Sequence, residues 1–183
     1  MNYKTPKKLA VIQDMAGIGR CSLSVALPII SACHVQACPM PTALFSNHTG
    51  FPTYYKHDFT PYIPDYLDAW KKLDQHFDGI YCGYLGSSAQ MELISSYIKE
   101  EKSLLPGTRI MIDPVFGDHG HLYHGLSDDY VSAMRSFIHS ADLITPNLTE
   151  ACFLTGTPFC ETECSSSVLY ALGERLCALG PSK

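Results

Sequence analysis

Charged side chains are scarce in this sequence of 183 residues. They make up 17% of the chain, below the roughly 25% that is typical of soluble domains. The 13 basic and 18 acidic residues give a formal net charge of −5, and basic pairs such as Lys7 and Lys8 never extend into a longer run. Because nucleic-acid binding requires a basic surface that neutralises phosphates, we expect no nucleic-acid partner.

Long apolar runs are also missing. No segment approaches the roughly 18 consecutive apolar residues of a membrane span, and the apolar stretch 9–12 is too short for a secretion signal. We therefore expect a cytoplasmic protein with no membrane partner. In that compartment the eight cysteines are expected to be reduced and mostly buried, with Cys33, Cys82 and Cys152 in apolar surroundings.

Short apolar runs alternate with helical patterns along the chain. Strands that alternate with helices form parallel βαβ units, so the sequence predicts one α/β domain over residues 1–183, a doubly wound and mostly parallel sheet with flanking helices. Pro39 and Pro41 are expected to interrupt the second apolar region. The predicted strands are 9–13, 35–40, 42–45, 79–82, 109–112 and 142–145, and the predicted helices are 21–33, 65–73, 89–100, 127–139, 149–154 and 166–179.

Polar residues directly follow the predicted strands. In an open parallel sheet, ligands bind in the crevice outside the carboxyl ends of the strands. We therefore expect these residues to converge on one edge of the sheet and to form a small-molecule site there. They are Asp14, Asn47, His48, Tyr84, Asp113 and Asn147.

The first predicted strand-to-helix loop contains Gly17 and Gly19. It resembles a dinucleotide-binding loop, but the pattern G-x-G-x-x-G would need glycine where Ser22 stands, and no acidic residue ends the following strand. The glycines could instead serve a sharp reversal of the chain, or allow a substrate to approach the backbone while Asp14 accepts hydrogen bonds from it.

Two further segments carry groups suited to phosphate chemistry. Asp113 and Asp118 lie on one loop at the predicted sheet edge, where carboxylates would act on phosphates through Mg²⁺, a hard cation that prefers oxygen ligands. The segment from Thr145 to Glu150 ends a strand and opens a helix, so its first backbone amides could face an anion or serve only as a helix start.

Five segments together resemble the pyridoxal kinases, which are vitamin B6 kinases of the ribokinase-like superfamily. The resemblance runs from about Leu9 to the last residue. The Ser-Asn-His-Thr and Gly-Tyr-Leu-Gly stretches are its most specific parts, while the aspartate and asparagine motifs recur in related kinases, including hydroxymethylpyrimidine kinases. The segments are Gln13-Asp14, Phe45-Ser-Asn-His-Thr-Gly50, Gly83-Tyr-Leu-Gly-Ser87, Asp113-Pro-Val-Phe-Gly-Asp118 and Ile144-Thr-Pro-Asn-Leu-Thr-Glu150.

The resemblance implies ATP-dependent phosphorylation of the 5′-hydroxymethyl group of pyridoxal, pyridoxine or pyridoxamine. By motif position, the residues implied to bind the vitamer are Asp14, Asn47, His48, Thr49 and Tyr84. Those implied to bind ATP are Asp113, Asp118, Tyr123, Thr145, Asn147 and Glu150, with Asp118 and Glu150 also binding Mg²⁺. The family further implies a monovalent cation such as K⁺ and a homodimer.

The sequence departs from the family pattern at two places. The residue after Gln13 is commonly serine in the family and is Asp14 here, which could change the preferred vitamer or favour a pyrimidine. The catalytic aspartate of the family belongs to a Gly-x-Gly-Asp segment, and none follows Thr145. We therefore expect a ribokinase-like fold that is incomplete at the C-terminus, a catalytic base beyond Lys183, and little or no turnover by this chain alone.

Three alternative functions remain open from the sequence. The first is a small-molecule kinase that resembles the hydroxymethylpyrimidine kinases. The second is a fragment that binds the vitamin without catalysis, which the missing Gly-x-Gly-Asp segment favours. The third is an oxidoreductase with a Rossmann fold, which the serine in place of the third glycine disfavours.

Overall fold

A six-stranded sheet carries the fold in the computed structural model, which describes residues 6–160 and 165–183. The strands are β1 (Lys8–Ile18), β2 (Gln36–Asn47), β3 (Lys56–Asp58), β4 (Gly79–Cys82), β5 (Arg109–Ile112), β6 (Gly117–Asp118), β7 (His121–Leu122) and β8 (Leu143–Ile144). The helices are α1 (Leu23–Ala32), α2 (Ile63–Lys72), α3 (Ser88–Leu104), α4 (Asp128–Phe137), α5 (Leu148–Thr155) and α6 (Ser166–Ala178), and 3-10 turns span Thr60–Tyr62 and Ile138–Ser140.

The sheet has the strand order β3-β2-β1-β4-β5-β8, and only β3 runs antiparallel to its neighbour. β2 and β3 lie on one side of β1 in the sheet, and β4, β5 and β8 lie on the other side. Right-handed crossovers then place α1 on one face of the sheet and α3 and α4 on the other. The doubly wound, mostly parallel α/β fold predicted from the sequence is confirmed.

The main core lies between the sheet and the helices α3 and α4. The fully buried strand residues Ile12, Ile80 and Ile112 pack in the same cluster as Ile94 of α3 and Met134 of α4. Parallel strands covered on both faces read as continuous apolar runs, which explains why β4 and β5 have the bounds that the sequence predicted.

The prolines of β2 do not interrupt it. Pro39 and Pro41 are two residues apart, and β3 pairs only with Ala43 to Phe45 of β2. The carbonyl of Pro39 accepts a 2.8 Å hydrogen bond from the hydroxyl of Tyr66 on that edge. A proline nitrogen is tolerated where the strand edge has no ladder partner, so one strand replaces the two that were expected.

The burial of the cysteines differs from the expectation. Cys82 and Cys152 are buried as expected, but Cys33 is exposed because it follows the last turn of α1. Cys164 lies outside the described residues. Within the described ranges, no helix has the length and apolar character that a membrane span requires.

Candidate functional site

A cleft of about 1020 Å³ opens at the carboxyl ends of β1, β2, β4 and β5. It lies beside β1, where the order of the strands reverses, which is the usual position of a ligand site in an open α/β sheet. Seven of the residues that the sequence assigned to a ligand line it together: Asp14, Asn47, His48, Thr49, Tyr84, Asp113 and Tyr123.

Asp14 lies inside β1 and not after it, contrary to the expectation. The register between β1 and β2 shifts between Gln13 and Met15, and such a bulge redirects a side chain. Asp14 is 7% exposed, and this burial raises the pKa of its carboxyl. The Ser22 hydroxyl and the charges of His48 and Lys56 oppose the shift. The carboxylate therefore faces donors and positive charge on the cleft walls.

Aromatic rings form one wall of the cleft. The rings of Phe45 and Tyr84 lie 6.0 Å apart in an edge-to-face arrangement, and Tyr54 contacts Phe45 at 5.7 Å. The ammonium group of Lys56 lies 3.3 Å from the Tyr84 hydroxyl and 5.7 Å from the centre of each of the Phe45 and Tyr84 rings. This wall offers flat apolar surface and one positive charge to a planar ligand.

The backbone of Tyr84 is held in place by a hydrogen bond from β2. Its carbonyl accepts a 2.7 Å hydrogen bond from the hydroxyl of Thr42, which is fully buried in β2. Gly83 precedes it, and a Cβ at that position would stand 2.8 Å from the side chain of Gln13. The close packing of Gln13 against Gly83 sets the floor of the cleft, so Gly83 is required there for space.

The remaining predicted residues lie beside the cleft and not in its lining. Asp118, Thr145, Asn147 and Glu150 surround the β6–β7 hairpin and the start of α5. The Asn147 side chain donates a 2.8 Å hydrogen bond to the Gly117 carbonyl, which ties the two elements together. Thr145 also contacts the carboxyl of Asp113, a residue of the cleft, so the two regions share one boundary.

Asn147 and Glu150 form a reciprocal helix cap. The Asn147 side chain accepts from the Glu150 backbone at 2.9 Å, and the Glu150 carboxylate accepts from the Asn147 backbone at 2.8 Å. The other Glu150 oxygen accepts from the Phe116 backbone at 3.2 Å. Burial raises the pKa of Glu150 to about 7, with a contribution from the negative charge of Asp113. A helix-start role is therefore present, as the sequence allowed.

The charges of three carboxylates act on the Tyr123 hydroxyl. Burial raises the pKa of the Tyr123 hydroxyl, and Glu150, Asp118 and Asp113 raise it further. Burial likewise raises the pKa of Asp113, although its hydrogen bond to Thr145 lowers it. These carboxylates repel one another, and a hard cation that prefers oxygen ligands would relieve that repulsion. Among the residues described, no group of three or more His, Cys, Asp or Glu side chains is close enough to hold a metal unaided.

Sequence reasoning missed Lys56 and Ser22. Lys56 lies in an aromatic segment without helical period, and only its antiparallel pairing with β2 turns its side chain toward Tyr84. Ser22 was considered only as a replaced glycine, yet its side chain lines the cleft. The alternation of residues in 56–58 could have indicated a strand, but three residues are too few for a reliable period.

Comparison with known proteins gives one family. The family model described as phosphomethylpyrimidine kinase matches residues 27–180. A protein of Bacteroides thetaiotaomicron that is provisionally named as a phosphomethylpyrimidine kinase, in a crystal form with pyridoxal, is 41% identical, with a TM-score of 0.91 over 97% of this chain and 61% of that one.

Two pyridoxal kinases are also similar. The structure of the enzyme from Lactobacillus plantarum is 35% identical, with a TM-score of 0.81, and the match covers 93% of this chain and 60% of that one. A curated pyridoxal kinase of Deinococcus radiodurans is 27% identical over 180 residues, which are 96% of this chain and 60% of the relative. The chain thus spans about 60% of the length of these relatives.

Proposed function

This chain belongs to the phosphomethylpyrimidine kinase family, and from that premise we propose that its protein transfers the γ-phosphoryl group of ATP to the 5′-hydroxymethyl group of a vitamin B6 vitamer. The observation that carries the proposal is the convergence of Asp14, His48 and Tyr84 on one cleft. The hydroxyl oxygen of the vitamer forms a bond to the γ-phosphorus, the bond to the ADP oxygen breaks, and the hydroxyl proton is released.

The cleft suits a planar ring with polar substituents. Phe45 and Tyr84 offer apolar surface to the ring, and Lys56 places a cation beside them. Asp14 supplies a buried acceptor for a ring hydroxyl or a protonated ring nitrogen. The relative from Bacteroides thetaiotaomicron, crystallised with pyridoxal, supports a ligand of this kind.

The end of the cleft that Asp113 and Tyr123 line, together with the region beside it, suits the phosphates of ATP. We propose that Asp113, Asp118 and Tyr123 face the nucleotide together with Thr145, Asn147 and Glu150. Mg²⁺ would be held by Asp118 and Glu150 with phosphate oxygens, since magnesium usually keeps only one or two protein carboxylates. The excess of negative charge around Tyr123 supports a cation there. A monovalent cation and a homodimer stay predictions.

A hydroxymethylpyrimidine is the second candidate substrate. The description of the matching family favours it, and Asp14 would accept equally well from an amino group on a pyrimidine ring. Asp14 would therefore accept from a ring hydroxyl or a protonated ring nitrogen of the vitamer, but from an amino group of the pyrimidine.

Titration calorimetry with the isolated chain tests the binding part of the proposal. Pyridoxine, 4-amino-5-hydroxymethyl-2-methylpyrimidine and NAD are compared as ligands, and binding is the chosen readout because the chain spans about 60% of its relatives. We expect pyridoxine to bind more tightly than the other two. Tighter binding of the pyrimidine would make it the substrate in place of the vitamer. Binding of NAD alone would point to an oxidoreductase.

Matched tyrosine variants connect that binding to the cleft. We expect Tyr84→Ala to weaken pyridoxine affinity about tenfold, because it removes one aromatic face and the partner of Lys56. Tyr170→Ala, on an exposed ring of α6, should leave the affinity unchanged. Equal affinities of the two variants would place the ligand elsewhere. Formation of pyridoxal phosphate from pyridoxal and ATP would then show a kinase and not a protein that only binds the vitamin.

A further inference from the structure

The backbone of His48 is held on both sides by neighbouring loops. Its amide donates a 2.7 Å hydrogen bond to the carbonyl of Ile18, and its carbonyl accepts from the amide of Phe51 at 3.1 Å. Gly19 has a φ of 112°, and a Cβ at that position would stand 2.9 Å from the Cβ of His48. Glycine is therefore required there for its conformation and for space, and the first glycine-containing loop makes room for His48.

The imidazole of His48 is oriented by its own loop. The backbone amide of Gly50 donates a 3.0 Å hydrogen bond to Nδ1 of the ring. A backbone amide only donates, so Nδ1 is the accepting nitrogen, and the neutral ring carries its proton on Nε2. Among the residues that the structure describes, none forms a hydrogen bond with Nε2. Because His48 lines the cleft, Nε2–H is an unused donor on the cleft wall.

The side chain of Asn47 braces the same loop. Its oxygen accepts from the hydroxyl of Ser46 at 2.6 Å, and its nitrogen donates to the carbonyls of His48 and Thr53 at 3.2 and 2.9 Å. These contacts close the loop between positions 47 and 53. They hold the backbone that carries His48 in the same arrangement without using its ring.

We propose that the Nε2–H group of His48 donates a hydrogen bond to an acceptor atom of the ligand ring, and that Gly50 is a positioning residue that fixes this tautomer. Asp14 and His48 then give the cleft one acceptor and one donor. This pair selects heteroaromatic rings that carry an N–H or O–H donor together with an acceptor oxygen or nitrogen. The part concerning the ligand rests on the proposed function, whereas the tautomer of His48 concerns the free chain and does not depend on it.

The first measurement is ¹⁵N NMR of the free chain at about pH 8, where an ordinary imidazole is neutral. We expect a scalar coupling across the hydrogen bond between the amide nitrogen of Gly50 and Nδ1 of His48, and a proton on Nε2. His48→Gln identifies the signals, and His34, exposed after α1, gives the averaged signal of an exposed ring. A proton on Nδ1, or the absence of the coupling, would overturn the fixed tautomer.

The second measurement is calorimetric titration with pyridoxine. Glutamine at position 48 places an amide nitrogen near the position of Nε2, whereas the shorter asparagine ends near Nδ1. We expect His48→Asn to weaken affinity about tenfold, the loss of one hydrogen bond, and His48→Gln to stay within about threefold of the unsubstituted chain. His34→Gln is the control and should leave affinity unchanged. Equal losses in His48→Asn and His48→Gln, or full affinity in both, would refute the Nε2 donor.

Gly50→Ala tests the positioning role separately. The variant keeps the backbone amide, but its Cβ would stand 2.9 Å from Nδ1 of His48, so the ring should be displaced. We expect the coupling to disappear and pyridoxine affinity to fall severalfold, whereas Gly107→Ala, whose Cβ meets nothing within 4 Å, should keep both. An unchanged coupling and affinity in Gly50→Ala would refute the role of Gly50. If the unsubstituted chain shows the coupling but binds no vitamer, the proposed function and the ligand role of His48 fail, and the fixed tautomer stands.

Discussion

The Gln90 side chain accepts a 2.7 Å hydrogen bond from the backbone amide of Gly86. Its amide group donates to the Thr42 carbonyl at 2.9 Å and to the Thr60 hydroxyl at 2.8 Å. Gln90 is fully buried in the first turn of α3. One side chain therefore connects the loop that carries Tyr84 to β2 and to the turn that follows β3.

Replacing Gln90 with leucine should destabilise the fold. The substitution leaves the Gly86 amide without its buried acceptor, whereas the Thr42 carbonyl still accepts from the Phe59 backbone. An unsatisfied buried group costs about 1–3 kcal/mol, so we expect the free energy of unfolding in urea to fall by about that amount. Gln36→Leu, at an exposed position of β2, is the control. Equal midpoints for the two variants would show that the Gln90 contacts contribute little.

Glu150 should make stability fall as the pH rises from about 5 to 7. Its pKa is 4.5 when unperturbed and about 7 in the folded chain, so in this range the folded state holds a proton that the unfolded state has released. Stability that is present below the lower value is therefore lost as the pH approaches the upper one. The shift corresponds to about 3 kcal/mol at most.

Glu150→Gln tests this dependence. We expect the difference in unfolding free energy between pH 5 and pH 7.5, measured in urea, to be smaller in the variant, because glutamine does not titrate. Asp14, another carboxyl with a raised pKa that is not among the groups acting on Glu150, contributes to both proteins and cancels in the comparison. The same pH slope in both proteins would contradict the assignment.

Lys56 should lower the pH at which ligand binding is lost. Its charge lowers the pKa of Asp14 and opposes the effect of burial, so its removal raises that pKa. As the pH falls, the Asp14 carboxylate is then protonated earlier, and it stops accepting from the ligand at a higher pH. We expect Lys56→Met to move the acid limb of pyridoxine affinity, measured by calorimetry, to higher pH.

The matched variants for this prediction are Lys56→Arg and Lys72→Met. The first keeps a cation over the two rings, and the second removes a charge from the end of α2, away from the cleft. Both should retain the original pH profile. A Lys56→Met profile that coincides with theirs would show that Asp14 is not the titrating group.

The strands and the convergence of polar residues could be predicted because their signals are local. β4 and β5 are short apolar runs between turn residues, and their bounds follow from that pattern. Asp14 lines the cleft as expected, but its position within β1 depends on a bulge set by the register with β2. The contact of Lys56 with Tyr84 depends on β3, whose pairing joins residues that no sequence period relates. Contacts between distant segments therefore had to come from the structure.

Gly83 should be far less tolerant of alanine than Gly107. A Cβ at position 83 would stand 2.8 Å from two carbon atoms of Gln13, whereas a Cβ at position 107 meets nothing within 4 Å. Gln13 is 4% exposed and lies on the cleft floor, so it has little room to move. We expect Gly83→Ala to lower the free energy of unfolding by about 1–3 kcal/mol and to weaken pyridoxine affinity. Gly107→Ala should change neither quantity. If both variants lost similar stability and affinity, the side chain of Gln13 would have room to move away from a Cβ at position 83.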